Sequence, residues 1–202
     1  MINTGPIHAL TYSSGAGQYI LSGGADRSIN LWNPSKAVPS ASTSSNSITA
    51  RHVAGRQGRD NTSAALIQSY TGVHGYDVLS VSVSSDNARF ISSGGDKTVF
   101  LWDVATAKTL KRYSGHGGRV ECAVFAGESD AVLVSGSFDA TVRLWDTRSQ
   151  SGKPLMVLQE ARDSVTSFAV VDAEVIAGSV DGRIRTYDLR MGACYVDVIG
   201  RK

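Results

Sequence analysis

VLVSGSFDATVRLWDTR, residues 132–148, carries the pattern that decides the fold. A short apolar run ends in Ser135-Gly136-Ser137, turns at Phe138-Asp139 and returns as Thr141-Val142-Arg143-Leu144-Trp145. In the returning run Thr141, Arg143 and Trp145 fall on one face and Val142 and Leu144 on the other, the period of two that a pleated strand requires. The stretch is therefore a hairpin. ILSGGADRSINLWN (20–33), FISSGGDKTVFLWD (90–103) and VIAGSVDGRIRTYD (175–188) repeat it, so the chain is an internal repeat.

Aligned on the turn aspartate, the copies fall at Asp26, Asp96, Asp139 and Asp181. The last two steps, 43 and 42 residues, match the period of four-stranded propeller blades. The first step, 70 residues, is too long, and its excess lies in SKAVPSASTSSNSITARHVAGRQGRDNTS, which is rich in Ser and Thr and poor in large apolar residues. This segment, about 34–63, is expected to be a disordered insert in the first blade. Four short strands are expected per repeat, giving blades at about 7–70, 74–113, 116–158 and 161–199 and an all-β chain with no helical periodicity.

At 202 residues, with 42% hydrophobic content, 21 Gly and 4 Pro, the chain suits a turn-rich globular fold. Twenty basic against 18 acidic residues leave +2, too small a field to favour nucleic acid or membrane as partner. Cys122 and Cys194 lack metal-ligand or disulfide-framework spacing, and no cofactor or metal is expected. The first ten residues lack the charged and apolar regions of a signal peptide, and no run reaches membrane-spanning length. A soluble intracellular protein is the expectation.

Within the third repeat His116, Ser135, Asp139 and Trp145 form one constellation: the carboxylate accepts from the imidazole, the imidazole reaches the hydroxyl, and the buried indole N–H needs an acceptor. The second repeat has the same set in His74, Ser92, Asp96 and Trp102. The first keeps Ser22, Asp26 and Trp32 without the His. The fourth keeps only Asp181, with Ala161, Ala177 and Tyr187 elsewhere, and is expected to have the weakest staple. Ser135, His116 and Asp139 also suggest a nucleophilic triad, but the set recurs beside the same Trp and lacks a GxSxG elbow, so it is assigned to structure.

GH...V...SGSxDxTxRLWD resembles the WD40 repeat over all of the chain but the insert. YSGHGGRVECAVF, LQEARDSVTS and AGSVDGRIRTYDLRMG are similar to the WD-repeat mitogen-activated protein kinase organiser family, spliceosome-associated scaffolds. That resemblance implies a seven-bladed propeller of which this chain matches about the first four blades. It also implies a non-catalytic protein-interaction scaffold for kinase-cascade or spliceosomal components, in cytoplasm and nucleus. An incomplete propeller would leave the flanks of the first and fourth blades open to self-association.

Strand a of each blade starts at the rim of the central channel, so residues flanking its first apolar position, and the residue before the turn Asp, are expected on one partner-binding face. These are His8 and Ala25; Asp77, Leu79 and Gly95; Arg119, Glu121 and Phe138; Ser164, Thr166 and Val180. Phe138 among charges has the character of an interface hot spot, with packing on the next blade as its alternative. On the opposite face, WDTR and YDLR place Arg148 and Arg190 as in the WDxR signature of substrate receptors for cullin-RING ubiquitin ligases. The alternative is local pairing with Asp146 or Asp188. Arg51, His52, Arg56 and Arg59 in the insert lack stacking aromatics, and no direct nucleic-acid site is expected there.

Overall fold

The computed structural model describes residues 4–39, 62–191 and 193–198. They form four antiparallel sheets of four strands, each running in sequence order from a to d. The first contains β1 (Ile7–Tyr12), β2 (Ile20–Gly24), β3 (Ile29–Pro39) and β4 (Thr62–Tyr70). The second contains β5 (Val78–Val83), β6 (Arg89–Gly94), β7 (Thr98–Asp103) and β8 (Thr109–Ser114). The third contains β9 (Val120–Ala126), β10 (Val132–Ser137), β11 (Val142–Asp146) and β12 (Met156–Leu158). The fourth contains β13 (Val165–Val171), β14 (Glu174–Ser179), β15 (Arg183–Asp188) and β16 (Ala193–Val198). No helix of the described residues is long and apolar enough to cross a membrane.

Strand pairing reaches into the expected insert. Past a break in register after Asn33, β3 and β4 resume pairing at Ala37↔Ala64 and continue to Pro39↔Thr62. The segment read as insert from residue 34 thus contributes strand at both ends, and residues 40–61, with Arg51, His52, Arg56 and Arg59, lie outside the described residues. The alternation that marks a strand is weak here because the segment is rich in Ser and Ala.

The apolar cores lie between blades rather than within them. Leu21, Ile29 and Leu31 of the first blade pack on Val78, Phe90 and Trp102 of the second. Ile91, Val99 and Leu101 pack on Val120, Leu133 and Trp145, and Val134, Val142 and Leu144 pack on Val165, Val175 and Tyr187. A twisted sheet with apolar residues on both faces buries each face against a neighbour, which stacks the blades. Between blades, Asn87 Nδ2–H donates to Ser14 O at 3.2 Å, and Ser85 N–H and Oγ–H donate to Asp130 Oδ2 at 2.7 Å each.

The b–c turn is built alike in every blade. The residue after the turn aspartate takes positive φ: Arg27 64°, Lys97 61°, Ala140 61° and Gly182 77°. Only Gly182 adopts this region without steric cost; the carboxylates of Asp26 and Asp139 hold their turns by accepting from the amides of Ser28 and Thr141, whereas in the second blade Thr98 Oγ1 donates to the Asp96 carbonyl.

Candidate functional site

In the third blade the staple is a directed chain. Trp145 Nε1–H donates to Ser135 Oγ at 2.8 Å, Ser135 Oγ lies 2.8 Å from His116 Nε2, and His116 Nδ1 lies 3.0 Å from Asp139 Oδ2. With the proton on Nδ1, one neutral tautomer satisfies every link: serine donates to Nε2 and histidine donates to the carboxylate. Burial holds the His116 pKa below the ordinary imidazole value, against the opposing pull of Asp139. Burial would raise Asp139, but the hydroxyl of Thr141, the amide of Gly117 and His116 outweigh it and bring the pKa down to about 2. The second blade repeats the chain: Trp102 to Ser92 at 2.8 Å, Ser92 to His74 at 2.7 Å and His74 to Asp96 at 2.7 Å.

Ser135 and Ser92 are fully buried and each receives an indole N–H. A nucleophile needs access to a carbonyl carbon, so the hydroxyl–imidazole–carboxylate sets serve the blade, not a reaction. In the first blade Trp32 Nε1–H donates to Ser22 at 2.8 Å, while Asp26 accepts from the amides of Thr4 and Ser28 and from the Ser28 hydroxyl.

The fourth blade is not left unstapled. Arg185, 1% exposed, donates to Asp181 Oδ2 from Nη2 at 2.6 Å and from Nη1 to Oδ1 at 3.2 Å and to Ser179 Oγ at 2.7 Å. The Arg162 amide caps the same carboxylate at 3.1 Å. Arg185 thus replaces the absent histidine, and its guanidinium is the first cause of the strong depression of the Asp181 pKa. The expectation of the weakest staple compared only the four positions of the other blades. Arg185 stands four residues after its aspartate, where the other blades have Asn30, Phe100 and Arg143.

The rim is shaped by one recurrent irregularity. In every blade the a–b register skips a residue after the first apolar position of strand a, so that His8, Leu79, Glu121 and Thr166 are bulged. A bulge re-aims its side chain out of the pleat, and here it places Leu79 and Glu121 in one cleft. Asp77, Leu79, Arg119 and Glu121 line one cleft with Tyr76 and Gly95. His8 Nε2 stands 3.7 Å from Asp77 Oδ2, Arg119 is ion-paired to Glu121, and the Arg119 guanidinium lies 5.0 Å from the centre of the Phe138 ring. Phe138 is 57% exposed, so it lies under a cation and not inside the next blade.

Thr166 and Val180 are exposed in the fourth blade, away from that cleft. Ser164 is corrected: it is 4% exposed, with its amide and hydroxyl on Asp163 Oδ1, and offers no surface. Tyr76, 64% exposed, was missed. Its signal is reciprocal: Tyr76 covers Gly95 in the second blade, while in the third Gly118 stands where Tyr76 does and lies beside Phe138. Each of these two blades has one aromatic and one glycine across the rim turn. On the opposite face, Asp146 and Asp188 accept from the backbone amides of Arg148 and Arg190 at 2.8 Å each. Among the described residues neither guanidinium has an ion-pair partner, and no group of three or more His, Cys, Asp or Glu could hold a metal ion.

The WD domain, G-beta repeat family profile matches residues 3–33, 65–103 and 107–146, more than half of the chain. The chain belongs to the WD40-repeat family. These matched spans end before the fourth blade, whose four-stranded antiparallel sheet repeats the strand order of the other three. WD repeat domain-containing protein 83 of Rattus norvegicus is 45% identical over 184 residues, 91% of this chain and 49% of that protein. Its Xenopus tropicalis counterpart is 41% identical over 198 residues, 98% of this chain and 54% of that protein. The human DDB1- and CUL4-associated factor 5 is 28% identical over 106 residues, 52% of this chain and 9% of that protein. The chain spans about half the length of the WD repeat domain-containing protein 83 sequences it matches.

Proposed function

We propose that this WD40 chain is a non-catalytic scaffold that captures protein partners on the rim formed by Tyr76, Asp77, Leu79, Arg119, Glu121 and Phe138. The observation that carries this is Phe138, an exposed aromatic whose ring centre lies 5.0 Å from the guanidinium of Arg119, a residue of the charged cleft. Aromatic and arginine anchors surrounded by polar groups are the residues that dominate binding energy at protein interfaces. By the resemblance to the kinase-organiser family, the partners are mitogen-activated kinase-cascade components or spliceosomal proteins, and the places of action are cytoplasm and nucleus.

Phe138→Ala with Arg119→Ala removes both anchors without touching the staple or an inter-blade core. Capture of kinase-cascade and spliceosomal components by the purified chain should fall at least tenfold, with the unfolding midpoint unchanged. Undiminished capture of both classes by the double variant overturns the rim assignment.

A second reading is a substrate receptor of a cullin-RING ubiquitin ligase. The exposed Arg148 and Arg190 favour it, because their guanidinium groups are not consumed by Asp146 or Asp188. The name of the matched DDB1- and CUL4-associated factor 5 points the same way for that relative. Co-purification of a ligase adaptor that survives Arg148→Ala with Arg190→Ala removes this reading.

A further inference from the structure

The first two junctions between blades are closed at the outer strand by the same residue type. Tyr70 of β4 and Tyr113 of β8 stand opposite Ile29 and Val99, the first core residues of their strand c. Both tyrosines are buried, at 2 and 1% exposure. Each ring packs on the Trp of the next blade, with centroids 5.9 Å apart for Tyr70 and Trp102 and 5.5 Å apart for Tyr113 and Trp145. The Tyr70 hydroxyl also crosses the junction, donating to the Val104 carbonyl of the second blade at 3.0 Å.

In the third junction both members of this pair are smaller. Leu158 of β12 stands opposite Val142, in the place of Tyr70 and Tyr113, and Tyr187 takes the place of Trp102 and Trp145. A pocket lined by Leu144, Met156, Leu158, Tyr187, Leu189 and Cys194 opens there, between the third and fourth blades. Leu189 follows its strand c as Val104 does in the second blade: its amide donates to Ala173 O as that of Val104 donates to Ala88 O. The Leu189 carbonyl is therefore the counterpart of the one that accepts from Tyr70. The Tyr187 hydroxyl, in the same wall, is buried beside the Cys194 thiol and has no oxygen or nitrogen partner among the described residues.

We propose that this pocket receives a tyrosine side chain from an extended segment of a partner protein that pairs with the edge of β12. The occupant is a phenol because a tyrosine ring fills the same place in the first two junctions, and because the Leu189 carbonyl and the Tyr187 hydroxyl offer its O–H an acceptor and a donor. The carrier is an extended chain because β12 is the outermost strand of its sheet, with Leu155, Met156 and Val157 along it 63, 46 and 36% exposed. An apolar edge is a template for a further strand. In such a strand every second side chain falls on the face that Met156 and Leu158 line. The site lies on the outer circumference between two blades of this chain and shares no residue with the rim cleft.

The test follows the methyl NMR signals of the chain while p-cresol, the tyrosine side-chain analogue, and then a capped valyl-tyrosyl-valine peptide are titrated. Both should shift Met156, Leu158 and Leu189. The peptide should bind at least tenfold more tightly than p-cresol and slow amide exchange in β12, and toluene, which lacks the hydroxyl, should bind more weakly than p-cresol. Leu158→Tyr restores the residue that fills the other junctions and should abolish binding of both probes; should it fail to fold, Leu158→Phe replaces it. Phe138→Ala with Arg119→Ala should bind both probes as the unaltered chain does, so the rim and the pocket fail separately. Methyl signals unmoved by p-cresol, or moved equally in the Leu158 variant, would overturn the pocket, and equal binding of toluene would overturn the phenol. Binding of p-cresol with no gain for the peptide would overturn the partner segment in favour of a small phenolic ligand.

Discussion

Trp145, Ser135, His116 and Asp139 are coupled because each satisfies the next, so the protonation state of one sets the others. The His116 pKa is depressed, so the unfolded chain binds a proton more readily than the folded one below the ordinary value of roughly 6.5. Stability should therefore fall as pH drops through that value. Asp139, with a folded pKa of about 2, contributes stability that is full above roughly pH 4 and lost as pH falls toward 2. Urea midpoints measured against pH should show both declines. His116→Gln should flatten the upper one and Asp139→Asn the lower, the latter lowering stability at pH 7 by about 1.5–3 kcal/mol. The sequence already grouped these four residues, since their spacing recurs in the second blade. The tautomer follows only from the distances.

At the scale of one element, the fourth blade shows what position-by-position comparison overlooks. Its network has lost three of four members, and its aspartate has exchanged the histidine for a buried arginine from its own strand c, four residues away. Arg185→Met should leave Asp181 charged without its pair and cost on the order of 3–5 kcal/mol, read as a lower thermal midpoint with loss of hydrogen-exchange protection concentrated in β13–β16. An unchanged midpoint would mean that Ser179 and the backbone amides suffice. The bulge in strand a is the other element-scale feature. Every blade has it at the same place, and it presents Leu79 and Glu121 on the cleft. Alternation in the sequence identified which residues leave the core but gave no signal of the inserted residue that turns them.

The whole molecule is a stack of sheets whose stability resides at the junctions, so identical substitutions should differ in effect according to whether a neighbour is present. Gly136→Val would press on Val165 and Phe168 of the next blade and should cost about 1–3 kcal/mol, with accelerated exchange in β13. The same change at Gly178 meets only the rotatable Ser167 hydroxyl and should leave the fold of the single chain nearly unchanged. Equal losses at both positions would show that a strand b side chain acts within its own blade.

Residue pattern alone determined the repeat, the four-stranded blades, the Trp–Ser–His–Asp grouping and the choice of Arg119, Glu121 and Phe138 as neighbours on one rim, because each rests on short-range spacing along strands of period two. Tertiary structure alone decided that Phe138 lies under Arg119, that Ser164 is buried and that Arg185 takes the histidine's place. Those outcomes depend on contacts between blades, or on a side chain reaching across a turn, where distance in sequence gives no measure of distance in space.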